Sequence, residues 1–435
     1  QLAPERIEEN RAAWMRLMPL DTLTMDAADA QDFEMATYPE VGKGQAAVEL
    51  QQACVLRAVY SARQLQEVMV EFWTDHFSIS MRDVGYLKVI DDREVIRKHA
   101  LGRFRDLLLA SARSPAMLVY LDNASNVADG PNENYARELM ELHAIGVDAG
   151  YTQQDVREVA RCFTGWTVDY RYEGTNGEFL FDPGSHDTGA KVVLGVPIAA
   201  GEPGTLDGRR VIEILARHPA CARFISAKLC RRFVADLPPA SLVEKAAATF
   251  TSTRGDIRAV LRTILLSDEF FASTEAKLKR PFDFLISALR SLGAQATAPD
   301  GLNQLIWSLY PLGHVPFEWE PPNGYPDAGP AWANTNGLLN RWNLASALVL
   351  NWYDGVQVPI RGIVTRSKAK TPAAFVDAMA SLLLQRPLDP PDRDRLIDYV
   401  AQGKPANARV PGWFLNRQAP GLLALLLGSP YFQWR

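Results

Sequence analysis

The spacing of apolar residues between Leu65 and Phe77 constrains the fold more than any other feature of this 435-residue chain. Apolar side chains recur there at intervals of three and four residues, together with one histidine: Leu65, Val68, Met69, Phe72, Trp73 and His76. The polar side of the same stretch carries three acidic residues, Glu67, Glu71 and Asp75. This pattern is typical of an amphipathic α-helix. We therefore predict one long helix from about Ala46 to Phe77, with its apolar face in a protein core.

Similar helical patterns run through most of the sequence and predict a mainly α fold, one large multi-helix domain spanning residues 1–435. Short β-prone runs separated by glycine-containing turns occupy residues 166–198, where we predict a small β insertion. A loop rich in proline, glycine and aromatic residues occupies 311–332 and is too long for an ordinary connection. We expect this loop to be either a lid over an active site or a plug that covers helix ends.

Composition and charge exclude several classes of protein. Hydrophobic residues make up 47% of the chain and charged residues 22%, which are values typical of globular proteins. The formal net charge of −5 provides no overall positive field to attract nucleic acid or an anionic membrane. No apolar run reaches the length of a membrane-spanning helix, and no dinucleotide-binding, phosphate-loop or GxSxG motif occurs. The four cysteines form no CxxC pair, and we predict buried free thiols.

A second informative helix is predicted from about residue 132 to 145, where the sequence reads NENYARELMELHAIG. At 100° per residue its polar face contains Asn134, Arg137, Glu138 and Glu141. His143 lies on the apolar face, and neither glutamate has the i, i+3 or i+4 spacing to it that a metal motif needs. The polar face either lines a cleft, with Glu138 and Glu141 as catalytic carboxylates, or is a solvated surface with an Arg137–Glu141 ion pair.

Three histidines are candidates for a functional role. His76 and His143 lie on apolar helix faces, where a histidine is usually a core residue, but two of them could also meet at one buried polar site that holds a metal or a haem. His186 and Asp187 follow each other in the glycine-rich loop FDPGSHDTG. They could act in acid/base chemistry, metal ligation or substrate contact, or form an ordinary turn in which Asp187 bonds its own backbone.

Aromatic residues suggest a sugar as substrate. Tryptophan and tyrosine beside carboxylates and asparagine commonly line sugar sites, because aromatic rings stack on the C–H faces of pyranoses. The candidates for this contact are Trp73, Trp166, Trp319 and Tyr325. The last two lie in the 311–332 loop, whose aromatic residues could instead form a plug.

Six segments of the chain resemble the DUF1800 family of bacterial proteins. They read FWTDHFSIS, RKHALGRFRDLLLASARSPAMLVYLDN, NENYARELMELHAIGVDAGYTQQDVREVARCFTGWT, FDPGSHDTGAKVVLG, HPACARFISAKLCRRFV and PPNGYPDAGPAWANT. The resemblance covers most of residues 60–345 and follows the family's order. It implies a bacterial protein of unknown function, often exported to the periplasm or secreted, and often encoded beside a sulfatase-like partner. It supplies no catalytic residues.

The leading hypothesis from the sequence is an exported bacterial hydrolase that acts on a glycan through carboxylate acid/base chemistry. The candidate catalytic residues are Glu138, Glu141, Asp187 and Asp75, with one of the first two paired with one of the last two. The candidate substrate-binding residues are Asn134, Arg137, His186, Trp73, Trp166, Trp319 and Tyr325. Arg137 and His186 would also adjust the pKa values of the carboxylates.

Two other hypotheses belong to different classes. One is an oxidoreductase that depends on a metal or haem bound by His76, His143 and His186. The other is a non-catalytic partner of a sulfatase-like protein, as the family resemblance implies. The leading hypothesis assigns no cofactor, and only the oxidoreductase requires a metal or haem.

Overall fold

The computed structural model describes residues 20–26, 29–30, 33, 44–169 and 177–435. These residues form mainly α-helices, which confirms the predicted fold class. The apolar residues Ile7, Trp14, Leu17 and Met18 predict a further helix over residues 1–18, which lie outside the described residues. None of the described helices is long and apolar enough to cross a membrane.

The first half of the chain contributes short and medium-length helices. These are α1 (Gln45–Tyr60), α2 (Gln64–His76), α3 (Met81–Val84), α4 (Leu87–Ile90), α5 (Phe104–Ala112), α6 (Pro115–Tyr120), α7 (Asn134–Glu138), α8 (Gln153–Cys162) and α9 (Gly204–Arg217). Two of them continue directly into π-helices, α4 into Asp91–Arg97 and α7 into Leu139–Ala144. A π-helix closes its hydrogen bonds over one residue more than an α-helix, as Ile145 shows by donating its amide N–H to Met140 O.

The second half is also helical. Its helices are α10 (Pro219–Phe233), α11 (Ala240–Ser252), α12 (Ile257–Leu265), α13 (Asp268–Phe271), α14 (Pro281–Leu292), α15 (Pro299–Trp307), α16 (Thr335–Val349), α17 (Ile360–Ser367), α18 (Pro372–Leu384), α19 (Pro390–Ala401), α20 (Gly412–Gly428) and α21 (Pro430–Gln433). Short 3-10 turns lie between helices at Asp21–Leu23, Asn123–Ser125, Val147–Ala149, Pro183–Ser185, Tyr310–Leu312 and Gly329–Ala331.

The predicted β insertion is confirmed as two antiparallel hairpins. Strand β1 (Trp166–Val168) pairs with β2 (Phe179–Phe181), and β3 (Lys191–Val193) pairs with β4 (Val196–Ile198). A third short pair, β5 (Gln295–Ala296) with β6 (Val356–Gln357), lies later in the chain and was not predicted. The hairpins stand next to helix α8. The sequence TQQD from Thr152 to Asp155 predicts a capping box at the start of this helix, and the structure confirms it: the Thr152 side chain accepts from the Asp155 amide, and the Asp155 carboxylate accepts from the Thr152 amide.

The prediction of one helix from Ala46 to Phe77 is wrong, because the chain breaks after Tyr60. Ser61 adopts an extended backbone conformation, and the Gln64 side chain donates to the carbonyl groups of Ala58 and Ser61 that the break leaves open. The break has a physical reason, since the two halves of the predicted helix belong to different cores.

Two large hydrophobic cores and two small clusters are present among the described residues. The first extends from Met69 to Ile264 and takes in the apolar face of α2 and the β insertion. The second is built mainly from helices α14 to α21, and α1 contributes Val55, Leu56 and Val59 to it. The turn between α1 and α2 therefore carries the chain from one core to the other.

The prediction of free cysteines is confirmed: Cys162, Cys221 and Cys230 are buried, and Cys54 is partly exposed.

Candidate functional site

A cavity of about 320 Å³ lies between the two cores, enclosed by α1, α2, α14 and the 311–332 loop. Apolar side chains supply part of its wall, among them Val68, Phe282, Ile286, Phe317 and Tyr325. Charged side chains supply the rest, chiefly Arg57, Glu67, Glu71, Asp75, Asp92, Arg97, Lys279, Asp283, Arg290 and Arg435. Mixed apolar and polar linings of this kind are typical of small-molecule sites.

Helix α2 places a row of three carboxylates along this cavity. Glu67, Glu71 and Asp75 are each four residues apart and therefore project from one side of the helix about one turn from each other. The opposite side carries Met69 and Trp73, which are fully buried in the first core. The polar face of α2 therefore lines a partly open cavity, in which 17% of the Glu71 side chain and 19% of the Asp75 side chain are exposed.

Two buried arginines hold the carboxylates. Arg280, the residue before α14, donates from Nη1 to Asp75 Oδ2 at 2.5 Å and from Nη2 to Glu71 Oε1. Arg232 on α10 donates from Nη2 to Glu71 Oε2 at 2.8 Å and to Asp283 Oδ1 at 3.2 Å. Only 1% of the Arg232 side chain and 3% of the Arg280 side chain are exposed to solvent. Glu71 on α2 therefore lies between two guanidinium groups. One of them, that of Arg232, also binds Asp283 on α14.

The carboxylates of this cluster are pushed towards opposite protonation states. Burial raises the pKa of Glu71 to about 7, and the negative charges of Asp283 and Asp75 add to the effect against Arg280 and Arg232. Burial also raises the pKa of Asp75, although Arg280 opposes it. Burial alone would raise the pKa of Asp283 too, but Arg232, Arg435 and Arg280 together hold it well below its usual range. Near neutral pH the cavity thus contains a carboxyl group that can give up a proton beside one that stays ionised.

The 311–332 loop forms one wall of the cavity. The Tyr325 hydroxyl donates to Val315 O and accepts from Val315 N, which ties the two ends of the loop together. Gly324 has a φ of +71°, and its backbone approaches Asp75 so closely that a Cβ atom at this position would lie 1.9 Å from Asp75 O. Only glycine can take this place, so the loop is fitted against the end of α2.

Of the residues proposed from the sequence, Asp75 and Tyr325 line this cavity. Trp319 lies in the same loop, where its ring packs 4.8 Å from that of Tyr325 and its indole N–H donates to Asn323 Oδ1. Trp73 and Trp166, which the sequence proposes for sugar stacking, are fully buried in this structure. Their indole groups donate to the carbonyls of Ala100 and Gly204 and serve the first core.

The helix that contains Glu138 and Glu141 lies outside the cavity lining. Both glutamates are half-buried, and burial and the charge of Glu141 raise the pKa of Glu138. The solvated-face alternative included an Arg137–Glu141 ion pair, but Arg137 Nη2 instead contacts Glu133 Oε2 at 2.9 Å, one turn towards the N-terminus. Asn134 donates to Asp122 Oδ2.

His186 and Asp187 are taken up by contacts within and around the β insertion. Arg161 binds both oxygens of Asp187, at 2.7 and 3.2 Å, and lowers its pKa. The His186 ring is buried, with Nδ1 at 2.8 Å from Thr164 O and Nε2 at 3.4 Å from Asp207 Oδ2. Neither residue is among those that line the cavity.

His76 and His143 do meet in the first core, with ring centroids 6.1 Å apart. Lys228 Nζ lies 2.8 Å from His76 Nδ1 and donates to it, so His76 Nε2 carries the proton that is donated to His143 O at 2.9 Å. Burial lowers the pKa of both histidines, that of His143 to about 3, and both are neutral. His186 has its own neighbours in the insertion. Within the described residues no group of three or more His, Cys, Asp and Glu side chains is placed to hold a metal, which corrects the three-histidine site.

Sequence reasoning missed Asp283, Arg232 and Arg280, and it took Glu71 for a surface residue. A signal for Glu71 was present in the row of acidic residues at four-residue intervals on α2. No comparable pattern marks the arginines, which reach the row from positions 161 and 209 residues away in the chain.

The chain belongs to a family described as proteins of unknown function, DUF1800, and the match spans residues 2–434. This confirms the resemblance seen in the six segments and extends it to almost the whole chain. Neither a curated protein nor a solved structure matches the chain. The chemistry therefore has to be argued from the cavity itself.

Proposed function

We propose that the protein is a hydrolase that cleaves a glycan by acid/base chemistry in the cavity between α2 and α14. The observation that carries this proposal is that Glu71 and Asp283, which both line the cavity, bind the same Nη2 atom of Arg232. Glycoside hydrolysis requires two carboxyl groups near the scissile bond, one protonated and one ionised. Environments that separate the pKa values of neighbouring carboxyl groups are the usual means of assigning these roles.

In this proposal Glu71 is the general acid and Asp283 the ionised partner. The Glu71 carboxyl group gives its proton to the leaving-group oxygen as the glycosidic bond breaks, and Asp283 accepts a proton from the water molecule that attacks the sugar. Asp75 is a positioning residue, because it shares Arg280 with Glu71 and fixes the orientation of that guanidinium. Tyr325 and Phe282 supply apolar wall for the sugar ring.

The location and the partner that we propose, a periplasmic or secreted enzyme acting beside a sulfatase-like protein, rest on the family resemblance. A glycan substrate is consistent with such surroundings.

The test is hydrolysis of a panel of polysaccharides and oligosaccharides by the purified chain. Glu71→Gln keeps the shape of the side chain but removes the transferable proton, so we expect turnover to fall by about 100-fold or more. Glu138→Gln is the matched control and should leave turnover unchanged. The variants should first be shown to fold by circular dichroism. Full turnover in the folded Glu71→Gln variant, or no hydrolysis of any glycan by the unaltered protein, would overturn the proposal.

A further inference from the structure

A second pocket, of about 340 Å³, adjoins the cavity on the side of α1 and the Asp91–Arg97 π-helix. We call it the basic pocket, because its charged lining within the described residues consists of four cationic residues and one acidic residue: Arg57, Arg93, Arg97, Lys98 and Asp92. It shares Leu50, Arg57, Asp92 and Arg97 with the cavity. These shared residues form the boundary between the two spaces, and the basic pocket leads towards the proposed catalytic carboxylates.

Two ion pairs lie at this boundary, one with short hydrogen bonds and one with a longer contact. Arg97 Nη2 binds both oxygens of Glu67, at 2.8 and 2.9 Å. Arg57 Nη1 lies 3.5 Å from Asp92 Oδ2, beyond a good charge-assisted hydrogen bond, and this is its only ion pair among the described residues. The Arg57 guanidinium therefore has donors to spare next to an open pocket.

The other three cations are paired with carboxylates, Arg97 with Glu67 and both Arg93 and Lys98 with Glu94. Arg57 is therefore the cation of the pocket with the longest ion pair. Burial lowers the pKa of Arg57, and the positive charge of Arg97 lowers it further. Arg93 is fixed by bonds from Nη1 to the carbonyls of Leu23 and Met25 and so holds the wall of the pocket in place. Because its contact with Asp92 is long, the Arg57 guanidinium keeps donors that can bind an anion in the pocket.

We propose that the basic pocket binds an anionic group of the substrate, a carboxylate or a phosphate on a sugar, and that Arg57 is the principal ligand. The inference rests on the function proposed above, since it takes the cavity as the place where the neutral part of the same substrate reacts. A planar guanidinium binds such groups through two parallel hydrogen bonds. In the unbound protein Asp92 pairs weakly with Arg57, and the incoming anion replaces this contact.

The experiment is calorimetric titration of the full chain with glucuronate, glucose and inorganic phosphate at low ionic strength. We expect glucuronate to bind at least about tenfold more tightly than glucose, and phosphate to compete with it, because a charge-assisted bidentate contact distinguishes them. A bound phosphate that glucuronate cannot displace, equal affinity for the two sugars, or binding of neither anion would overturn the proposal.

Substitutions at the boundary locate the site. Arg57→Gln should reduce glucuronate affinity to that of glucose, whereas Asp92→Asn, which removes the competing carboxylate, should strengthen it. Arg105→Gln is the matched control, since this half-exposed arginine pairs with Glu213 and lines neither pocket. Unchanged affinity in Arg57→Gln, or weaker affinity in Asp92→Asn, contradicts the proposal. Binding is measured without turnover, and Glu71→Gln should keep full affinity for glucuronate, so a failure of the catalytic proposal is distinguishable from a failure of this one.

Discussion

Helix α2 and the helical segment 134–144 carry carboxylates at similar spacing, yet the protein places them in different surroundings. The polar side of α2 is closed in by α14 and the 311–332 loop and faces a cavity. The polar side of 134–144 keeps Arg137 and Glu133 partly exposed, at 41% and 28% of their side chains. The comparison teaches that a polar helix face becomes a candidate site only when a second core covers it, because burial is what shifts the pKa values of its acids.

The largest effect should come from breaking the buried ion network. Arg280→Met leaves Glu71 and Asp75 without their shared partner in a buried position, which typically costs about 3–5 kcal/mol of unfolding free energy. Arg137→Met breaks the exposed pair with Glu133 and should cost no more than about 1 kcal/mol. Urea denaturation of both variants measures the difference. Equal losses of unfolding free energy in the two variants would mean that the ion pairs of α2 are no more buried than those of segment 134–144.

A smaller effect is expected in the pH dependence of stability. The pKa of Glu71 is about 7 in the folded protein and ordinary in the unfolded chain, so the folded state binds more protons between pH 4.5 and 7. This group therefore makes the free energy of unfolding fall by up to about 3 kcal/mol as pH rises through that window, with no further loss above it.

Glu71→Gln should remove this part of the slope, while Glu141→Gln on the other helix serves as the control. Unfolding by urea at several pH values between 4.5 and 8 gives the slopes directly. A slope that is the same in Glu71→Gln as in the unaltered protein would show that Glu71 titrates normally in the fold.

The smallest effect should be the response of the two ion networks to salt. At 0.5 M NaCl, screening should remove most of the cost of Arg137→Met, a change of about 0.5 kcal/mol. The cost of Arg280→Met should stay nearly constant, since the guanidinium is buried and salt does not reach it. The measurement is urea denaturation with and without salt, and a matching loss in both variants would indicate that solvent enters the α2 network.

Local features of this protein were predictable from sequence because their causes are local. The apolar stripe of α2, the Thr152–Asp155 capping box and the turn-rich β insertion all depend on residues close together in the chain. The break at Ser61 was not predictable, because apolar periodicity continues across it and only the presence of two cores separates α1 from α2.

The candidate site was harder to predict from the sequence, because its residues come together only through long-range packing. Asp75 and Tyr325 were proposed from their residue types and their neighbours, and both line the cavity. Glu71 looked like a solvated residue because a sequence does not reveal what covers a polar helix face. Asp283, Arg232 and Arg280 reach the site only through long-range packing, which short-range patterns cannot encode.

The shape of the basic pocket depends on the number of residues in the π-helix Asp91–Arg97, because this segment supplies part of the pocket wall. Such a segment holds one residue more than an α-helix would need for the same hydrogen-bonded path. Deleting a single residue there would let the backbone relax into an α-helix without turning the residues that follow, because the wide turn accommodates the residue that is removed. The side chains inside the segment, among them Asp92 and Arg93, would change their positions instead. A deletion in this segment should therefore alter the wall of the basic pocket while the rest of the helix keeps its orientation.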